Sequence, residues 1–287
     1  MEMLNEWLRQ IQTTNSGDPG RALYGNTGTI CTVLMWSVIL LYIWRQRLNP
    51  IKGILIGYLT KMFLVYAQHM VTWYRRDFAL GNYFGTDNIG YAFILLPVFC
   101  WLCDKAFNIA DGTSGELAAL STLGWHWVGR SGCTFTGCCY GIPCDWGIYS
   151  HYPDGNTFPV CWAESLISLG ILIFLLVRLF RRGYWPYESK GRSRAMEWYL
   201  RGRRMPDDGK ALPYMLLFYG GGRFVTEFLR YQPEEDILFG FLPEFSVLAL
   251  LMASVGGFML YRLFKKEKAA AAAAAEPSLP TLSGQRH

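Results

Sequence analysis

Seven long apolar stretches, separated by polar connections, leave this chain few ways to fold. They run about Thr29 to Trp44, Ile51 to Val71, Ile89 to Cys103, Gly115 to Val128, Pro159 to Phe180, Leu212 to Leu229 and Leu242 to Phe264. Most approach or exceed the roughly 20 apolar residues that a helix needs to cross a bilayer. The hydrocarbon core offers no water to a backbone N–H or C=O, so spanning segments of this kind fold as helices. Of the 287 residues only 17% are charged against 52% hydrophobic, and the apolar ones come in blocks. The expected class is all-α: a polytopic membrane protein with seven transmembrane helices. The fourth block is short and rich in Gly, Ser, Thr and Trp. Taken alone it also reads as a buried or re-entrant segment.

Lys and Arg accumulate in cytoplasmic connections. The connection after the first block carries Arg45, Arg47 and Lys52, and the one after the fifth carries ten basic residues from Arg178 to Lys210. Seven spans then place the N-terminus outside and the C-terminus, with Arg262, Lys265, Lys266 and Lys268, in the cytoplasm. The outer connections are poorer in cations, and one ends in the acidic run Glu234, Glu235, Asp236; Arg75 and Arg76 are the exception. Were the fourth block not to span, the large basic loop would fall on the side opposite the first. The net charge of +5 is thus explained by orientation and implies no nucleic acid. Met1 to Thr27 lacks the basic n-region, short apolar core and small-residue cleavage site of a removed signal peptide. A membrane domain is expected over 1–267, with a polar, amphipathic cytoplasmic insertion at about 181–211. The alanine-rich tail over 268–287 is expected to be a frayed helix end running into disorder.

The topology gathers ionisable residues at the outer side. Tyr24 precedes the first helix, Arg130 ends the fourth and Glu164 opens the fifth. In the sixth, Tyr219, Arg223, Glu227 and Arg230 recur at steps of four, four and three, which is one helix face. Arg223 lies roughly 10 Å below Arg230 at about 1.5 Å per residue. A charge at the centre of a membrane helix costs at least ~2.5–3.5 kcal/mol, so these residues need partners, water or a ligand. The bland account is mutual neutralisation that fastens the sixth helix to its neighbours. Arginines outnumber carboxylates on the stripe, however, and guanidinium forks suit phosphate oxygens. In an outer leaflet the available phosphate belongs to a lipid headgroup. Gly220, Gly221 and Gly222 read either as helix packing or as a backbone cradle for an anion. Gly129, Gly132, Gly137 and Gly141 are expected to punctuate an irregular segment lining a cavity.

Cysteines supply a rival reading. Cys133, Cys138, Cys139, Cys144 and Cys161 all fall on or near the outer side, where disulfides are possible. A membrane thiol oxidoreductase using Cys138 and Cys139 is one alternative, and a transporter or binder of anionic lipid is another. The spacing C-x4-C-C-x4-C is not a zinc pattern and interleaves no histidine, so no metal is expected.

With these residues in place, the chain resembles the prolipoprotein diacylglyceryl transferase family over most of its length. The points of similarity occur in order: Tyr24-Gly25, G-R-S-G from Gly129 with its following glycines, W-G-I-Y from Trp146, P-V-C-W-A-E-S from Pro159, and G-R-F-V-T-E-F-L-R from Gly222. Arg130, Glu164, Arg223, Glu227 and Arg230 match family positions. Cys133, Thr136, Cys138 and Ile142 stand where the family signature has Asn, Asn, Glu and Arg. The family's H-G-G before the third helix has no counterpart, with Asn88-Ile89-Gly90 nearest. The chain therefore reads as a divergent branch with a G-C-C-Y-G loop.

The resemblance implies a bacterial plasma-membrane enzyme. It moves the diacylglyceryl group of phosphatidylglycerol to the lipobox cysteine thiol of an exported preprolipoprotein, releasing glycerol phosphate. The implied partners are phosphatidylglycerol, the preprolipoprotein signal peptide and membrane lipids; no nucleotide, metal or other cofactor is needed. Arg130 and Arg223 are expected to hold the leaving phosphate, with Glu227 orienting the arginines. Tyr24, Gly132, Glu164, Tyr219 and Arg230 join Arg130 and Arg223 as expected substrate-binding residues. His126 lies four residues before Arg130 and is the first candidate to replace the missing family histidine as base. Its bland account is packing between Trp125 and Trp127, and His69 and His151 are weaker candidates.

Overall fold

The computed structural model describes residues 1–13, 19–46, 48–74, 90–151, 153–181, 209–232, 237–238 and 241–275. Helix α1 spans Glu2–Thr13, α2 Pro19–Gln46, α3 Pro50–Tyr74, α4 Gly90–Ala106 and α5 Thr113–Thr136. After a hairpin of β1 (Pro143–Ser150) and β2 (Gly155–Thr157) come α6 (Val160–Arg181) and α7 (Ala211–Glu227). A second small hairpin, β3 (Ile237–Leu238) with β4 (Leu242–Pro243), leads into α8 (Glu244–Ala275). Helices α2 to α8 coincide with the seven apolar blocks. Among the described residues, four are long and apolar enough to cross a membrane: α2, α3 over Pro50–Ala67, α6, and α8 over Phe245–Ala272. Their outward faces present Ile30, Val33, Leu166, Ile173, Leu250 and Phe258, the surface expected where protein meets lipid rather than water. Residues 182–208 of the insertion expected at about 181–211, the acidic run 234–236, Arg75, Arg76 and the tail from 276 lie outside the described residues, as does the side chain of His69. Of the tail, 268–275 form the last two turns of α8.

Helix α5, the least hydrophobic of the seven blocks, is the axis of the bundle. Its residues from Thr113 to Gly124 are buried, and it packs against α2, α3, α4, α6 and α7. Its polarity is a consequence of that position. A helix enclosed by other helices needs small residues for close approach more than it needs apolar bulk. A Cβ on Gly115 would lie 3.3 Å from Leu212, and one on Gly124 would lie 3.2 Å from Val38. The carboxylate of Asp104, at the end of α4, accepts hydrogen bonds from the backbone N–H groups of Gly112 and Ser114 at 2.6 and 2.8 Å. It thereby satisfies donors that the first turn of α5 would leave open.

Helix α5 also continues beyond the point where an irregular loop was expected. Gly129 and Gly132 lie inside it, and at Gly132 α2 runs close alongside. Cys31 Sγ would be 3.7 Å from a Cβ on Gly129, and the Thr27 hydroxyl would collide with one on Gly132. The helix ends at Gly137, whose φ of 64° is left-handed and favours glycine. Tyr24 likewise lies within α2 rather than before it.

At this end of the bundle a small head covers the helices. Leu8 and Ile11 of the amphipathic α1 are buried against Ile148 and Tyr149 of β1 and against Phe135. Asn5 fastens α1 to the hairpin, accepting from Tyr149 N–H at 3.0 Å and donating to the Gly147 carbonyl at 3.2 Å. Gln12 Nε2 donates to the Thr134 carbonyl at 2.8 Å, and its Oε1 accepts from His151 N–H at 2.8 Å.

Candidate active site

Beneath this head, the two motifs that carry arginine are joined by backbone. Gly141 and Arg230 form an antiparallel bridge; Ile142 N–H donates to the Leu229 carbonyl at 3.0 Å, and Tyr231 N–H to the Tyr140 carbonyl at 3.2 Å. The contact is tight. A Cβ on Gly141 would lie 2.5 Å from the Phe158 carbonyl and 2.7 Å from the Leu229 carbonyl. This seam draws the C-terminal end of α7 against the end of α5 and the start of α6.

Three guanidinium groups converge on one carboxylate of α6: Arg130 comes from α5 and Arg223 from α7, while Arg230, expected on the same helical stripe, lies three residues past the end of α7 in the bridge to Gly141. Arg130 Nε donates to Glu164 Oε2 at 2.5 Å, Arg230 Nη2 to Glu164 Oε1 at 2.6 Å, and Arg223 Nη1 also to Oε1. Glu227 takes the remaining sides, 2.9 Å from Arg223 Nε and 3.7 Å from Arg230 Nε. Gln232 donates to Glu227 Oε1 at 2.6 Å. Both glutamates are essentially inaccessible, and the arginines are between 11% and 17% exposed. Three cations against two carboxylates leave one positive charge in surplus, in a place where charge is expensive. Arg130 Nη2 is buried with no hydrogen-bond partner among the described residues. A buried donor in that state calls for an acceptor.

Below the arginines, His126 is 3% exposed and both its ring nitrogens are engaged. Nδ1 shares a 3.0 Å hydrogen bond with Ser168 Oγ, and Nε2 one of 3.1 Å with the Tyr219 hydroxyl. Ser168 in turn donates to the Glu164 carbonyl at 3.0 Å, so the network hangs from the turn that carries the hub carboxylate. Tyr219 and Phe93 meet the imidazole with their rings. Tyr219 therefore spends its hydroxyl on His126 and not on the arginine cluster.

Beside the cluster lies a group of thiols. Arg130 Nη1 donates to Cys139 Sγ at 3.5 Å and to Cys133 Sγ at 3.8 Å. Cys138 Sγ donates to Cys139 Sγ at 3.9 Å. Hydrogen bonds from the neighbouring thiols and the Arg130 guanidinium hold the Cys139 thiol well below the usual cysteine range, whereas Cys138, which keeps its proton to donate, is pushed up. Tyr24 is about half exposed, one turn before the Thr27 that abuts Gly132. The triple glycine serves packing at two of its positions. A Cβ on Gly220 would meet the Ala253 and Ala249 backbone of α8 at 2.6 and 2.7 Å, and one on Gly222 the Ile167 side chain at 2.8 Å.

Residues 56–262 match the family model described as prolipoprotein diacylglyceryl transferase. The chain belongs to this family. The matched segment contains Arg130, Glu164, Arg223, Glu227 and Arg230, while α1 and Tyr24 precede it. Over 142 residues the chain is 30% identical to a protein of Clostridium perfringens (strain 13 / Type A) named Phosphatidylglycerol--prolipoprotein diacylglyceryl transferase 2. That match covers 48% of this chain and 46% of the relative, so the chain spans about half the length of the curated protein it matches.

Within this family member, sequence reasoning located the arginines but assigned their partner to Glu227. The structure makes Glu164 the shared acceptor and Glu227 the second. Ser168 and the Arg130 contacts of Cys133 and Cys139 were missed. A signal existed in the spacing, since Glu164 and Ser168 are four apart on α6, as His126 and Arg130 are on α5.

Proposed function

We propose that the chain transfers the diacylglyceryl group of phosphatidylglycerol to the lipobox cysteine of an exported preprolipoprotein. The convergence of Arg130, Arg223 and Arg230 on Glu164, with its surplus charge and the unpartnered Arg130 Nη2, carries this reading. Family membership and the relative's name support this reading of the chemistry. The acceptor sulfur attacks the glyceryl carbon bonded to the phosphate oxygen; the S–C bond forms, the C–O bond breaks, and glycerol phosphate leaves with the electron pair. Arg130 and Arg223 hold the departing phosphate, where positive charge placed in advance acts most strongly. Glu227 keeps Arg223 and Arg230 oriented, and Glu164 spaces the three guanidinium groups. Tyr24 contacts the headgroup from the lipid-facing side.

In this reading His126 is a positioning residue, because Ser168 and Tyr219 occupy both nitrogens. The acceptor thiol, ordinarily with a pKa of about 8.5, loses its proton to solvent under the field of the arginines. Helices α2 to α8 each cross the bacterial plasma membrane in this scheme. The N-terminus and the head face outward, and the C-terminus lies in the cytoplasm. Purified protein incubated with phosphatidylglycerol and a lipobox peptide should add the mass of one diacylglyceryl group to the peptide and release glycerol phosphate. Absence of product with every thiol acceptor tried overturns the proposal.

A further inference from the structure

Four cysteines from three segments gather where the chain spacing shows no metal pattern. Cys133 lies in the last turn of α5, Cys138 and Cys139 in the loop after it, and Cys161 in the first turn of α6. The left-handed Gly137 turns the chain so that Cys138 and Cys139 fold back over Cys133. The sulfurs of Cys133, Cys138 and Cys139 all lie within 4.8 Å of one another, and the Cys138 and Cys139 sulfurs are 3.9 Å apart. Cys161 belongs to the same buried cluster as Cys133 and Cys139. A tetrahedral Zn²⁺ site with Zn–S bonds of about 2.3 Å places its sulfurs about 3.8 Å apart. The three separations are therefore within about 1 Å of those of a thiolate metal site, and Cys161, whose Sγ donates to the Cys139 carbonyl at 3.1 Å, lies beside the loop that carries Cys139 and has to turn from that carbonyl to complete it.

We infer that Cys133, Cys138 and Cys139, with Cys161 as fourth ligand, bind a single Zn²⁺ ion as a closed structural centre. Binding releases the thiol protons to solvent and leaves the bound centre with a net negative charge. Arg130 meets that charge, since its Nη1 already points at the Cys133 and Cys139 sulfurs, as an outer-shell donor to a metal thiolate does. The placement has a consequence for the arginine cluster. Cys133 is three residues after Arg130 on α5, and Cys161 three before Glu164 on α6. The ion would tie the two helix ends together one turn from the Arg130–Glu164 pair. This goes beyond transferase activity and does not depend on it.

The test uses the full chain, purified in detergent under reducing conditions. Stoichiometric Zn²⁺ by elemental analysis is expected, as is a thiolate-to-metal charge-transfer band after replacement by Co²⁺. Cys138→Ser and Cys139→Ser should each weaken Zn²⁺ retention against a chelator at least tenfold, and Cys144→Ser, outside the cluster, should leave it unchanged. Because the wild-type measurement needs no variant, misfolding of a serine mutant does not blunt the test. Folded, reduced protein that takes up no added Zn²⁺ or Co²⁺ overturns the inference. So does metal retained in Cys139→Ser, or intact-mass evidence of a disulfide among these cysteines in metal-free protein that resists reduction. Transferase activity is not read in any arm, so failure here and failure of the proposed function are separate results.

Discussion

Arg130 of α5 and Glu164 of α6 meet at 2.5 Å, with the carboxylate only 1% exposed. Neither residue announces the other in the sequence, yet the pair joins the two helix ends around which the arginine site is built. Replacing Glu164 by Gln keeps the shape and removes the charge, leaving three guanidinium groups facing an amide. Breaking a buried ion pair by removing one partner costs about 3–5 kcal/mol. Glu164→Gln should therefore lower the thermal unfolding midpoint in detergent and abolish transfer. An unchanged midpoint would show that the carboxylate does not hold the arginines together.

Arg130→Lys and Arg223→Lys retain the positive charge and lose the planar fork. If the forks hold the departing phosphate, each variant should stay folded and lose roughly 10²–10³ in kcat, the scale seen when a transition-state donor is removed. A rise in KM with kcat preserved would instead place these arginines in ground-state headgroup binding.

For His126 the geometry makes a prediction opposite to the sequence expectation of a base. His126→Gln can still bond Ser168 and Tyr219, so activity should persist within about tenfold and the pH–rate profile should keep its shape. Loss of the acid limb in His126→Gln, with folding intact, would restore His126 as the base. His126→Phe should be the more damaging variant, since it leaves the Tyr219 hydroxyl buried without its partner.

The sequence was most informative where physics acts along the chain. Apolar runs locate α2 to α8, because burial or lipid contact demands uninterrupted hydrophobicity, and steps of four set Tyr219, Arg223 and Glu227 on one face of α7, whereas Arg230 lies past the end of that helix and reaches the cluster from the bridge to Gly141. It was least informative where distant segments meet. The hub role of Glu164 depends on how α6 packs beside α5 and α7. The head depends on Asn5 and Gln12 bonding backbone of β1 and α5, and the periodicity of α1 alone does not disclose that partner. The glycines misled for a related reason. Gly129 and Gly132 suggest a loop by composition, but both are helical, and at Gly132 the Thr27 side chain of α2 leaves no room for a Cβ, whereas at Gly129 a Cβ would make only ordinary contact with Cys31. The cysteines look unlike a metal pattern in line, and only the turn at Gly137 brings three sulfurs together.

Gly141 offers the sharpest test of the seam between the two motifs. A Cβ there would meet two backbone carbonyls, those of Phe158 and Leu229, and backbone cannot rotate away as a flexible side chain can. Gly141→Ala should therefore break the Gly141–Arg230 bridge locally, at a cost of about 1–3 kcal/mol for the overpacking. The helix bundle, whose core lies well below, should remain intact by circular dichroism. Arg230 is itself the bridge partner and contributes to the Glu164 hub, so transfer should fall while thermal stability drops only modestly. Gly132→Ala is the matched comparison, because its clash is with the Thr27 side chain and Thr27→Ala should relieve it. Rescue of Gly132→Ala by Thr27→Ala, with no relief of Gly141→Ala by any side-chain truncation nearby, would locate the constraint in the backbone seam. Full activity in Gly141→Ala would mean that the arginine cluster holds without it.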